Sequence, residues 1–173
     1  MRLAIVADSH DNILNIKKTL HWLNKEKIKL LIHCGDLTSK KTFKVLAKNF
    51  SGKIFLSFGN ADNFEKIFRQ KSFNDRCFFY HDFGRMKVGK KFIAFTHLPK
   101  IAKKLAKSGE YDLVFYGHTH KPWLKVLKVK VGDKFKIVRL VNPGNLAGLF
   151  YKATFALFDT RKDSLELKIL ESI

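Results

Sequence analysis

Acidic side chains are scarce in this sequence. Fifteen Asp and Glu face 34 Lys and Arg, for a formal charge of +19 at pH 7. A balance this one-sided favours nucleic acid, nucleotides or phosphorylated substrates as partners. The excess is concentrated, with 11 basic residues from Lys100 to Arg139 against Glu110, Asp112 and Asp133. Cysteine occurs twice, at Cys34 and Cys77. Two are too few for a disulfide framework or a zinc knuckle, and both read as reduced core thiols of a cytoplasmic protein. No apolar run approaches the length of a membrane span. The first apolar stretch, after Met1-Arg2, ends at Asp8 and is too short for a secretory h-region. Internal repeats, low-complexity tracts and domain linkers are also missing. What remains, 173 residues of which 46% are hydrophobic, is one domain over residues 1–173, long enough to bury a real core.

The apolar residues fall into short runs that end in polar ones. Arg2 to Ala7 reads as a buried strand followed by Asp8-Ser9-His10, and Ile13 to Glu26 as a helix whose Ile13, Ile16, Leu20 and Leu23 share a face. Asp8 also reads as a cap for that helix, although Asp11 and Asn12 stand nearer its start. Leu30 to Cys34 repeats the unit and ends in Gly35-Asp36. Lys53 to Ser57 leads to Gly59-Asn60, where Gly59 lets the chain turn sharply. Lys91 to Thr96 ends at His97, and Asn63 to Gln70 reads as a short helix. In open α/β sheets ligands bind where strands end, so these polar residues are expected to be neighbours. His33 is off phase and reads as a core or supporting histidine. Past residue 122 the pattern changes. Trp123 to Val131, Phe135 to Val141, Thr154 to Phe158 and Leu165 to Leu170 have strand periodicity and suggest a meander or second sheet packed on the first. Lys40, Lys41, Lys44 and Lys48 form a stripe without acids, and so do Lys100, Lys103, Lys104 and Lys107. Each reads as a solvated face or as an anion-attracting one.

Gly117-His118-Thr119-His120 follows the apolar run Leu113 to Tyr116. In an extended backbone, residues two apart point the same way with Cα atoms roughly 6.6 Å apart, so both imidazoles can serve one metal ion or two adjacent ones. Alone, the same four residues also read as a polar loop. The strand ends together supply Asp8, His10, Asp36, Asn60, His97, His118 and His120. These seven N and O donors exceed the needs of one tetrahedral ion and suit two divalent ions bridged by a carboxylate, with Asp36 as the bridge.

The ordered motifs D-x-H, G-D, G-N, H and G-H-x-H resemble the calcineurin-like metallophosphoesterase superfamily. Length and motif wording are most like its small single-domain phosphodiesterases of bacteria and archaea, the YfcE-like group. The resemblance implies an α/β fold, two mixed β-sheets packed as a sandwich flanked by helices. It implies one ion on Asp8, His10, Asp36 and His120 and another on Asp36, Asn60, His97 and His118. Mn²⁺ is the leading metal, with Ni²⁺, Fe, Co²⁺ or Zn²⁺ as alternatives, and Asp36, Asn60 and His97 are the expected catalytic positions. The expected substrate is a small or nucleotide-like phosphodiester. Nucleic acid and a second copy of the chain remain open as partners, and a membrane is not expected.

Two departures stand out. Relatives place a histidine after G-N where this chain has Ala61, and Gly after the lone His where this chain has Leu98-Pro99. A retromer-like binding scaffold and a nuclease are the competing readings. The missing histidine favours the scaffold, and the charge favours the nuclease.

Overall fold

The computed structural model describes residues 1–62 and 75–173. The helix expected over residues 63–70 lies outside the described residues. Among the described residues, eleven strands form two mixed sheets. The first has the order β11-β10-β1-β2-β3-β4. Its strands β1 (Arg2–Val6), β2 (Leu30–His33), β3 (Lys53–Ser57) and β4 (Cys77–Tyr80) run parallel to one another. β10 (Thr154–Asp159) and β11 (Ser164–Ile169) run antiparallel at the β1 edge. The second sheet has the order β5-β6-β7-β9-β8, built from β5 (Phe83–Val88), β6 (Lys91–Thr96), β7 (Leu113–Phe115), β8 (Trp123–Val131) and β9 (Lys134–Asn142).

Burial explains this layering. In β1, Leu3 and Ile5 face the second sheet and pack with Phe95, Phe115 and Phe158. Ala4 and Val6 face the other way, onto α1 (Ile13–Lys25) and α2 (Lys40–Asn49), through Ile16, Leu20, Leu23, Phe43 and Leu46. A strand apolar on both faces needs a cover on each. The second sheet is covered on its outer face by α3 (Pro99–Ser108), whose Ala102 and Ala106 lie against Val114, Val138 and Leu140. The result is a four-layered helix-sheet-sheet-helix sandwich.

The expectation of a meander or second sheet over the last four strands holds for β8 and β9 and fails for β10 and β11. β8 and β9 extend the second sheet, β9 running parallel to β7, while β10 and β11 return to the first sheet. The edge of β1 remained available, and Phe155 and Phe158 of β10 are fully buried there on opposite faces. Strand periodicity gives each strand's faces but not its neighbours. Cys34 and Cys77 are free and buried, as expected. Among the described residues, no helix is long and apolar enough to cross a membrane.

Candidate metal centre

The parallel strands β1, β2, β3, β6 and β7 bring their carboxyl ends to one place, and all seven expected donors meet there. Asn12 caps α1 by accepting the Asn15 N–H, which frees Asp8 from the capping role. Asp11 accepts from the hydroxyls of Ser39 and Thr42 and so ties the start of α2 to the β1 loop. Burial raises its pKa, but these hydroxyl bonds outweigh that and the net shift is downward.

The donors form two groups with a shared oxygen. In one, His10 Nε2 lies 3.2 Å from His120 Nε2 and 3.7 Å from Asp36 Oδ2, and His120 Nε2 lies 3.6 Å from Asp8 Oδ1. In the other, His97 Nε2 lies 2.9 Å from Asn60 Oδ1, 3.2 Å from His118 Nδ1 and 3.4 Å from Asp36 Oδ2. His118 Nδ1 and Asn60 Oδ1 are 3.0 Å apart. Asp36 Oδ2 thus faces both groups.

The donor chemistry fits metal ions. His97 Nδ1 is 2.9 Å from the Cys34 carbonyl, which can only accept, so the ring proton belongs on Nδ1 and the Nε2 lone pair points inward. There it meets the oxygens of Asn60 and Asp36, two further acceptors that only a cation or a proton can reconcile. Nitrogen ligands about 2.0–2.1 Å from a divalent ion stand roughly 3.0–3.4 Å apart, which matches the imidazole pairs. Asp8, His10 and His120, and likewise Asp8, Asp36 and His97, place one ligand atom each within 4.8 Å of one another.

Electrostatics supports the same reading. Burial, reinforced by the neighbouring Asp36 and Asp62 carboxylates, pushes Asp8 up to about 8, although the His118 N–H bonded to it at 3.0 Å pulls the other way. Desolvation lowers the pKa of both His97 and His120 and so favours neutral, ligating imidazoles.

The extended-backbone premise for the H-x-H pair is overturned. β7 ends at Phe115, and His118 and His120 have φ of 71° and 59°. The loop therefore separates the rings, sending one to each group. Asp8, His10 and Asp36 also sit at positive φ, 50°, 38° and 55°. Five of the seven donors thus lie on left-handed backbone, a conformation that non-glycine residues hold at a cost of about 1–3 kcal/mol each.

Gly59 also differs from expectation. It is needed for space and not for a positive φ, since an added Cβ would stand 2.1 Å from Asp36 Oδ1. The Leu98-Pro99 departure leaves His97 buried within the donor set, with Pro99 opening α3. Ala61 contributes its N–H to Asp36 Oδ1 at 2.9 Å and no proton donor from its side chain.

Several supporting residues escaped the sequence reading. The Asp62 carboxylate accepts the N–H groups of Asp36 (2.9 Å), Gly59 (2.7 Å) and Thr38 (2.6 Å), locking the β2 and β3 loops together. Asn142 Nδ2 donates to Gly117 O and Thr119 Oγ1, both at 2.9 Å, and Asn145 Nδ2 to His120 O at 3.1 Å. The turn Asn142-Pro143-Gly144-Asn145 is therefore the brace of the histidine loop. His33 is fully buried, with Nε2 3.0 Å from Ser9 Oγ and Nδ1 without a hydrogen-bond partner among the described residues.

The calcineurin-like phosphoesterase superfamily domain profile matches residues 1–163. The curated phosphodiesterase MJ0936 of Methanocaldococcus jannaschii is 31% identical over 176 residues, covering 99% of this chain and 100% of that one. A solved archaeal phosphodiesterase matches with a TM-score of 0.83 at 29% identity, over 98% of this chain and 99% of that one. YfcE, a phosphoesterase from E. coli, matches with a TM-score of 0.62 at 16% identity, over 98% and 100%, a likeness of fold alone.

Proposed function

The chain belongs to the calcineurin-like phosphoesterase superfamily, and from that premise we propose that it is a phosphodiesterase acting on a small or nucleotide-like phosphodiester with two divalent ions. Asp8, His10, Asp36 and His120 would hold one ion, and Asp36, Asn60, His97 and His118 the other. The observation that carries the two-ion reading is Asp36 Oδ2, which lies 3.7 Å from one imidazole group and 3.4 Å from the other. Mn²⁺ is the first choice of metal, and Ni²⁺, Fe, Co²⁺ and Zn²⁺ suit the same N and O donors. When bound, the ions supply an acidified water as nucleophile and positive charge against the phosphoryl oxygens.

The protein's own groups do the rest. Asp36, and Asp8 once it releases its proton, would supply the negative charge that the cations need. Asn60 turns its oxygen to the imidazoles, so its NH₂ is the end left to orient a phosphoryl oxygen. Ala61 offers no acid to the leaving group, so alkoxides should leave slowly and low-pKa groups well. Free buried thiols are in keeping with a reducing cytoplasm.

Hydrolysis of bis(p-nitrophenyl) phosphate by metal-stripped protein, with Mn²⁺, Ni²⁺ or Zn²⁺ restored, tests this reading. Turnover that needs metal and vanishes in Asp36→Asn is the expected result. Metal binding without turnover would move the chain to the scaffold reading, which the retention of all seven donors disfavours.

A further inference from the structure

A hollow of about 470 Å³ adjoins the histidine loop. Thr119, the residue between His118 and His120, is among its lining residues. Lys103, Lys121 and Lys125 line it together with Trp123 and Tyr151, and among the described residues no carboxylate does. All three lysines are exposed, and none forms a salt bridge among the described residues. Trp123 is 51% exposed and Tyr151 46%. Tyr151 follows Phe150, whose ring lies 5.9 Å from that of His120, so the aromatic rim runs from the hollow to the donors. Phe150 is 90% exposed at φ 64°, and the neighbouring Leu149 N–H is held by Asn145 Oδ1 at 2.8 Å. The loop is therefore tethered to the same brace as the histidines.

Three unpaired cations beside exposed aromatic faces match the two halves of a nucleotide. Ammonium groups take phosphate, and a ring face takes a base. The volume falls in the range of about 300–1,000 Å³ typical of small-ligand sites. A base can stack on a side chain only if it has left a duplex, which selects single strands. We propose that this hollow is a nucleotide subsite. It holds the unit next to the scissile bond of a single-stranded oligonucleotide, with phosphate on Lys103, Lys121 and Lys125 and base on Trp123 or Tyr151. The scissile-bond part of this inference rests on the phosphodiesterase reading, and the binding part does not.

The test uses metal-free protein carrying Trp22→Phe, which leaves Trp123 as the single tryptophan of the two in the chain. Titration with a thymidine hexanucleotide at low salt should quench Trp123 saturably. By anisotropy of labelled hexanucleotide, Trp123→Ala or Tyr151→Ala should weaken binding roughly five- to 150-fold. Inorganic polyphosphate, which lacks bases, should be insensitive to both. Replacing Lys103, Lys121 and Lys125 by Gln should flatten the slope of log K against log salt by about 2, at about 0.7 per phosphate contact. Replacing Lys17, Lys41 and Lys48 by Gln removes equal charge and should leave the quench intact. An absent quench overturns the proposal, as does an equal loss in both triple variants, or self-association that covers Trp123 with a second copy. Quenching without turnover of bis(p-nitrophenyl) phosphate keeps the subsite and ends the enzyme reading, whereas turnover without quenching does the reverse.

Discussion

Gly59→Ala should damage the metal centre without touching a donor. The added Cβ would stand 2.1 Å from Asp36 Oδ1 and 2.6 Å from Asp36 N, where ordinary contact begins at 3.4 Å. The shortfall at the carboxylate is 3.4 − 2.1, or about 1.3 Å. The neighbours cannot easily retreat. Asp62 Oδ2 holds both the Asp36 and the Gly59 N–H, at 2.9 and 2.7 Å. The Ala61 N–H fixes Asp36 Oδ1 at 2.9 Å. The carboxylate must therefore swing, and Oδ2, the oxygen common to both groups, moves with it. Disturbing the support of a ligand costs about 10–100-fold in metal affinity, and a displacement of about 1 Å at a reacting centre costs about 10²-fold in rate. Metal titration by calorimetry and turnover of bis(p-nitrophenyl) phosphate at saturating Mn²⁺ measure the two losses, and a thermal melt checks folding. Gly117→Ala supplies a graded comparison, since its nearest contacts are Asp8 Oδ2 and Cys34 O at 2.8 Å, a smaller shortfall that should give a smaller loss. A folded Gly59→Ala protein with unchanged metal affinity and rate would refute the claim that Asp36 is the shared ligand.

Metal affinity should rise with pH. Asp8, held protonated up to about 8 in the metal-free protein by burial, must release that proton to ligate. Affinity should increase about tenfold per pH unit below 8, with one proton released at this site, read by calorimetry in buffers of different ionisation enthalpy. His33 should make the protein acid-sensitive. Burial depresses its pKa from 6.5 to about 3, so the stabilisation is complete above 6.5 and is lost as pH falls from there toward 3. The slope is at most about 1.4 kcal/mol per pH unit, and the difference between wild type and His33→Gln in urea melts isolates it. Ala61→His should speed hydrolysis of alkyl phosphodiesters by a factor of about 10² to 10⁴ and change aryl substrates much less, measured as kcat. Adding metal at about 100 times its Kd should stabilise the fold by about 2.7 kcal/mol and raise Tm by roughly 5–11 °C, reversed by a chelator.

The meeting of the seven candidate donors was legible because each follows a short apolar strand, and parallel strands deliver their carboxyl ends to one edge whatever else the fold does. Sheet partners were less legible. Nothing in the periodicity of Thr154 to Phe158 says that it returns to β1, since that choice depends on which edge remains open once the other strands have paired. The braces were hidden for a different reason. Asp62 and Asn142 act on backbone N–H and C=O groups, which every residue carries, so no partner motif marks them. Gly59 drew a turn reading because glycine signals conformation more often than clearance, and only the position of Asp36 distinguishes the two.

The left-handed backbone beneath Asp8, His10, Asp36, His118 and His120 also sets a direction for evolutionary drift. Each of these residues holds an unfavourable conformation of about 1–3 kcal/mol that a bound cation would offset and an empty centre would not. In a descendant with no use for hydrolysis, asparagine in place of His10, His118 or His120 would relieve that strain, whereas Asp8 and Asp36 also accept the N–H groups of His118 and Ala61. Loss of activity and hardening of the framework then proceed together, one substitution at a time. An inert binding platform on this fold is thus reached downhill from the enzyme, and the return path is uphill.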